Sequence, residues 1–295
     1  ASLFDVPTKS LSRRDGSMGE FARRQRLQIE CTRDNREWIS DELGAVLDSL
    51  VFPLNFVDFE TCNPAIPHYR GMRPFDVIAY QWSCHTINSP GANPQHSEWL
   101  QSVDTYPNEA FIAGLQHRLG EEGSILIWSK YEVTVLRAIQ QQLIERGAAG
   151  SELAAWIGRV LDGNRIVDLN QVTLKHYFHP RAGGRTSLKV IADAVWQSNP
   201  AIRRRLPQYV AETEDGTLSP YQALPPLSIG DRQIAVAEGM GAIVAYYRMM
   251  ERTATNATLE AAQWRRLLLQ YCELDTIAMV MVWWHWRELT GQVNQ

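Results

Sequence analysis

Asp58 and Glu60 flank Phe59 in the stretch LNFVDFET, residues 54–61. In an extended segment alternate residues share a face, so both carboxylates project to one side with Phe56. Val57 and Phe59 then project to the other side. Two adjacent carboxylates repel each other, and a divalent cation relieves that repulsion. Hard oxygen donors of this kind suit Mg²⁺ or Mn²⁺. Taken alone, such a triplet on a strand is more often an exposed acidic face.

Two further acidic positions have the right setting. Tyr271 and Asp275, in YCELD, are four apart in a helical stretch and share a face, so a phenol and a carboxylate can enter one site. Alone they also fit a buried tyrosine beside a solvated aspartate. Glu273 falls on a different face. Glu132 follows Tyr131 just after the apolar run SILIWS, 124–129. A strand-to-helix junction is where open α/β sheets bind ligands, and it is also where a Glu complements a helix dipole. Asp168, ending the run RIVDLN, is a rival for the mid-chain role.

The elements that must position these groups can be read from periodicity. Residues 36–50 carry helical spacing, and residues 1–35 read as a polar, Arg-dotted arm. Residues 54–61 and 75–87 read as strands that could form a hairpin. A helix over 109–119, a strand at 124–129, a helix over 131–147 and a strand at 165–170 follow. GGRTSLKVIADAVW opens another helix. Residues 197–232 are rich in Pro, Arg and turns and read as a covering insertion. Two helices, 234–252 and 258–289, close the chain. This order predicts an α/β fold with a mixed sheet flanked by helices and a helical C-terminal part.

The chain has 295 residues, with 45% hydrophobic and 21% charged residues, a net charge of −4 and a pI near 6.0. A chain of this kind forms a packed core and is not a bulk polyanion binder. Contact with nucleic acid would need a local patch and metal ions. The four cysteines form no close pair, and the start lacks an apolar signal core, which points to reduced thiols and a cytoplasmic protein. No membrane span is expected.

In this order, the acidic residues and the YxxxD pattern resemble the DEDD exonucleases of the ribonuclease H-like superfamily, nearer the tyrosine-bearing DEDDy branch. More narrowly, the chain is similar to the bacterial family called domain of unknown function 2779. The resemblance rests on QIECTR (28–33), PLNFVDFET (53–61), AIPHYRGMRPFDVIAYQWSCH (65–85), ILIWSKYEVTVL (125–136), VDLNQVTLKHYFHP (167–180), GGRTSLK (183–189) and LLQYCELDTIAMV (268–280). It covers residues of about 25–290. Two departures are Glu132, where Asp is more usual, and Trp128-Ser129, where an Asn is common.

The resemblance implies a ribonuclease H-like domain over 51–290, with 1–50 as an arm and helix linking it to an upstream module. Members of that family often carry a RecB- or Cas4-like nuclease module upstream, so the chain is expected to be the C-terminal part of something longer. The implied activity is 3′–5′ exonucleolysis of DNA or RNA, releasing nucleoside 5′-monophosphates with two Mg²⁺ or Mn²⁺ ions. Asp58 would bridge both ions, Glu60 and Asp275 would complete one site, Glu132 would hold the second ion through water, and Tyr271 would orient the attacking water. His68, Arg70, Arg185 and Lys189 are candidate substrate contacts. Two rival readings are a weakly catalytic nucleic-acid-binding module and a partner-docking domain using Trp283, Trp284 and Trp286.

Overall fold

The computed structural model describes residues 2–13, 15–147, 151–214, 216–224, 227–229, 232–234 and 239–291. In chain order these form α1 (Glu20–Arg33), β1 (Trp38–Ile39), α2 (Leu43–Asp48), β2 (Leu54–Cys62), β3 (Ile78–Ile87), β4 (Gln95–Leu100), α3 (Asn108–Leu119), β5 (Ser124–Ile127) and α4 (Tyr131–Arg146). Next come α5 (Ser151–Asp162), β6 (Ile166–Asp168), α6 (Leu169–His176), β7 (Tyr177–Phe178), α7 (Leu188–Ser198) and α8 (Pro200–Arg205). The chain ends with β8 (Glu212–Thr213), β9 (Gly216–Thr217), α9 (Pro220–Ala223), β10 (Leu227–Ile229), β11 (Arg232–Ile234), α10 (Gly239–Ala254) and α11 (Thr258–Leu289).

The main sheet has five strands in the order β4-β3-β2-β5-β6. β4, β3 and β2 pair antiparallel, whereas β2, β5 and β6 run parallel. The sheet is therefore mixed, with β2 at its centre. Val57 and Phe59 pack into a core built with Phe111 and Ile112 of α3, Ile139 of α4 and Trp156 of α5. Phe56, on the other face, packs with Ile191 of α7 and with Ile277 and Met281 of α11. The expected alternation along β2 is thus realised, and helices cover both faces. Trp156 is fully buried, so its truncation to Ala would cost on the order of 3–5 kcal/mol.

α11 is long and apolar enough to cross a membrane by length and composition, but 83% of its most apolar window is buried inside the protein. It is the core helix. Trp283, Trp284 and Trp286 are all buried, which removes the motive for partner docking through them. All four cysteines are free thiols.

Several expectations need correcting. Only Leu43–Asp48 of the helix expected over 36–50 is helical. Trp38 and Ile39 are extended because Phe178 and Tyr177 take their backbone groups in a two-stranded ribbon. The polar arm contains α1, whose Ile29 and Cys31 are buried. Arg24 of that helix donates to the Tyr177 carbonyl at 2.6 Å. The strand expected to run to 170 stops at Asp168, whose Oδ1 accepts from the Asn170 and Gln171 amides and starts α6. β4 and α5 were not anticipated. Of the helix expected from 234, residues 235–238 lie outside the described residues.

Candidate metal centre

β2 carries Asp58 and Glu60 on the face it shares with Phe56. The Phe56 ring meets Trp283 of α11 edge-on at 6.0 Å, while Phe59 anchors the opposite face on Phe111 at 4.9 Å. The register against β3 slips just after Glu60: Glu60 pairs with Gln81, but Thr61 pairs with Ala79. Tyr80 is the extra residue. Such a bulge bends the strand and re-aims the side chains beyond it.

β5 ends at Ile127 and α4 begins at Tyr131, which puts Glu132 in the first helical turn. The helix forms because Val135, Leu136, Ile139 and Leu143 make a buried stripe. Between strand and helix, Ser129 has φ 127°, a costly value for a residue with a Cβ. Its hydroxyl accepts from the Tyr131 amide at 3.3 Å. α11 presents Tyr271 and Asp275 one turn apart.

Asp58, Glu60, Glu132, Tyr271 and Asp275 line one cavity of about 340 Å³, together with Thr61, Trp128, Ser129, Tyr131 and Ile243. Four acids, separated by up to 217 positions (275 against 58), thus share one space. The exposed part of Asp58 faces this cavity; Glu60, Glu132 and Asp275 are buried. Glu132 Oε2 is buried without a hydrogen-bond partner. The Cys272 thiol reaches Asp58 Oδ2 at 3.5 Å. The Tyr221 phenol, from α9, donates to Asp275 Oδ1 at 2.6 Å. Lys189, from α7, donates to the Tyr271 phenol at 2.9 Å and lies over the rings of Tyr271 and Tyr221.

The carboxylates hold their protons far more strongly than usual. Burial, then the charges of Asp275, Glu132 and Glu60, lift Asp58 well above the ordinary carboxylate range. Burial and Asp275 push Glu60 up to about 8, against the opposing Lys189 ammonium. Burial is also the main cause that brings Glu132 to about 7, with Asp168 and Asp275 adding to it. Burial raises Asp275 to about 6, held down by the Tyr221 hydrogen bond and by Lys189. Burial and the same acids push the Tyr271 phenol up, so it stays protonated at neutral pH.

This donor set fits a divalent cation. Its oxygens are hard, one is orphaned, and positive charge would offset the burial and the mutual repulsion that raise these acids. Asp58, Glu60, Glu132 and Asp275 are the residues that could hold such ions. Asp168 is committed to capping α6, although its charge is felt by Glu132. Glu273 does not line the cavity and is half-buried.

Among the candidate substrate contacts, Lys189 reaches the site through Tyr271. Arg185 is exposed, and its guanidinium donates to the Ala182 carbonyl. His68 and Arg70 do not line the acidic cavity. His68 bonds Asp104 at 2.9 Å and lines a separate cavity with Tyr69, Tyr246 and Tyr247. The Arg70 carbonyl accepts from Arg146.

Sequence reasoning missed Tyr221 and Cys272. Tyr221 has no local signal, because its value depends on how the segment after α8 folds back over α11. Cys272 could have been found: it neighbours Tyr271 on a helix whose face was already assigned.

No curated protein and no solved structure matches this chain. Residues 55–187 match the model of the family described as Domain of unknown function (DUF2779). The matched segment carries Asp58, Glu60 and Glu132 and stops before Lys189, Tyr271 and Asp275. The match supports the family name domain of unknown function 2779 over these residues.

Proposed function

We propose that this protein is a divalent-metal-dependent 3′–5′ exonuclease with a ribonuclease H-like sheet, acting on the 3′ end of DNA or RNA. The observation that carries this reading is the single cavity lined by Asp58, Glu60, Glu132, Asp275 and Tyr271. The mixed five-stranded sheet, with its acids on the central strand, at a strand-to-helix junction and on the last long helix, agrees with it.

Asp58, Glu60, Glu132 and Asp275 would hold the ions. When bound, divalent ions acidify the attacking water and offset charge on the scissile phosphate. Tyr271 keeps its proton, so it positions the water as a hydrogen-bond partner and does not act as a base. Lys189 places an ammonium beside Glu60 and Asp275, where it can meet a phosphate oxygen. Tyr221 holds Asp275 Oδ1 and fixes the direction of its carboxylate.

The test is digestion of a 5′-labelled oligonucleotide in Mn²⁺. Wild-type protein gives a ladder shortening from the 3′ end, and Asp58→Ala abolishes it. Unchanged digestion by Asp58→Ala sinks the assignment, and cleavage of a circular strand would mark an endonuclease instead. The alternative is a binding module of weak or no catalysis. It is favoured by Tyr221, which already occupies one oxygen of Asp275. Retained 3′-end binding without turnover in Mn²⁺ would select it.

A further inference from the structure

Cys272 has no part in the proposed hydrolysis, yet its sulfur, one Asp58 oxygen and one Glu60 oxygen all lie within 4.8 Å of one another. The thiol is fully buried behind the cavity wall, 3.5 Å from Asp58 Oδ2 and 3.8 Å from the Asp58 carbonyl oxygen. Separately, the Glu132 carboxylate lines the cavity that Asp58 and Glu60 also line, is only 5% exposed and has one oxygen without a partner. An orphaned buried oxygen beside a cluster of three donors is what a cation site looks like before loading.

The chemistry of the donors decides which cation. Magnesium and calcium take oxygen ligands and gain nothing from a thiol. Zinc and cadmium bind sulfur together with carboxylate oxygen. We infer that a thiophilic divalent ion of the zinc class binds at the wall of the acidic cavity formed by Asp58 and Glu60, with these two carboxylates and the Cys272 sulfur as ligands. On binding, the sulfur forms a bond to the metal and its proton leaves to solvent. No electron is transferred. The inference rests on the reading of this cavity as a metal site, and it deepens that reading by assigning a ligand that no hydrolytic role requires. Its consequence is selectivity: the oxygen donors serve Mn²⁺, whereas Cys272 lets a softer ion compete for the same acids.

The experiment is a cadmium titration of the whole chain, following the sulfur-to-cadmium charge-transfer absorption in the near ultraviolet. Manganese binding is measured in parallel by electron paramagnetic resonance. Wild-type protein should develop the band, and Cys62→Ser should keep it. Cys272→Ser should lose the band and bind cadmium about tenfold more weakly or worse, while its Mn²⁺ affinity stays within a few-fold. Cys272→Ala gives the same comparison should serine disturb the buried site. Manganese binding without any cadmium band in wild-type protein, or a band that survives in both Cys272 variants, overturns the inference and leaves the exonuclease reading standing. Failure of wild-type protein to bind either ion overturns both.

Discussion

The Tyr221 phenol donates a 2.6 Å hydrogen bond to Oδ1 of Asp275, linking a four-residue helix in the covering segment to the core helix. A hydrogen bond to a charged group contributes about 1.5–3 kcal/mol. Tyr221→Phe keeps the ring and removes that bond. We expect Mn²⁺ affinity, measured by calorimetry, to fall by roughly 10-fold or somewhat more. Affinity equal to wild type would show that Asp275 needs no such partner.

Asp58→Asn should separate stability from function. The change removes one ionisable group from a buried cluster in which burial and neighbouring acids oppose ionisation. The metal-free protein should therefore melt at a higher temperature than wild type at pH 8, while the stabilisation supplied by Mn²⁺ shrinks or vanishes. A lower melting temperature in chelator would contradict this account of the cluster.

The same acids fix the sign of the pH dependence. Glu60 at about 8, Glu132 at about 7 and Asp275 at about 6 all lie above their ordinary values of 4.5, 4.5 and 3.8. Below those ordinary values the folded and unfolded chains are both protonated there, and the groups contribute nothing. As pH rises through the window up to about 8, the unfolded chain releases protons that the fold retains, so folding becomes less favourable. Denaturation in chelator between pH 5 and 9 should show declining stability, with a shallower decline in Glu60→Gln. Mn²⁺ should widen its stabilising effect with rising pH, because it replaces those protons.

Ser129 carries φ 127° on the loop between β5 and α4, at the edge of the cavity. A residue in such a conformation costs about 1–3 kcal/mol, and glycine escapes most of that cost. Ser129→Gly should raise stability in chelator by about 1 kcal/mol. It should also weaken turnover by loosening Glu132. Unfolding curves and the oligonucleotide ladder measure the two effects separately.

Much of this architecture was legible in the sequence because it is local. The alternation of Phe56, Val57, Asp58, Phe59 and Glu60 determined which groups face together, and the four-residue spacing of Tyr271 and Asp275 did the same on α11. What escaped was set by distant partners. Trp38 and Ile39 have helical spacing but are extended, since β7 claims their backbone. The edge strand β4, QHSEWL, is polar enough to pass for a loop until β3 pairs with it. His68 and Arg70 looked ready for substrate by residue type, yet the chain between β2 and β3 carries them elsewhere. The Tyr221 contact needs the covering segment in place.

The slipped register opposite Glu60 and Thr61 gives β3 one side chain more than its pairing with β2 requires. Deleting Tyr80 would restore uninterrupted pairing with β2 and turn no neighbour over, because Tyr80 and Gln81 both project to the side of α10 and α11 while Ala79 already pairs with Thr61. Ile78 would stay against α10 and Ala79 towards α3, and what would go is the Tyr80 ring stacked on Tyr246 of α10 at 4.1 Å. A single inserted tyrosine thus gives the penultimate helix a ring to seat on and leaves the alternation that aims the acids untouched.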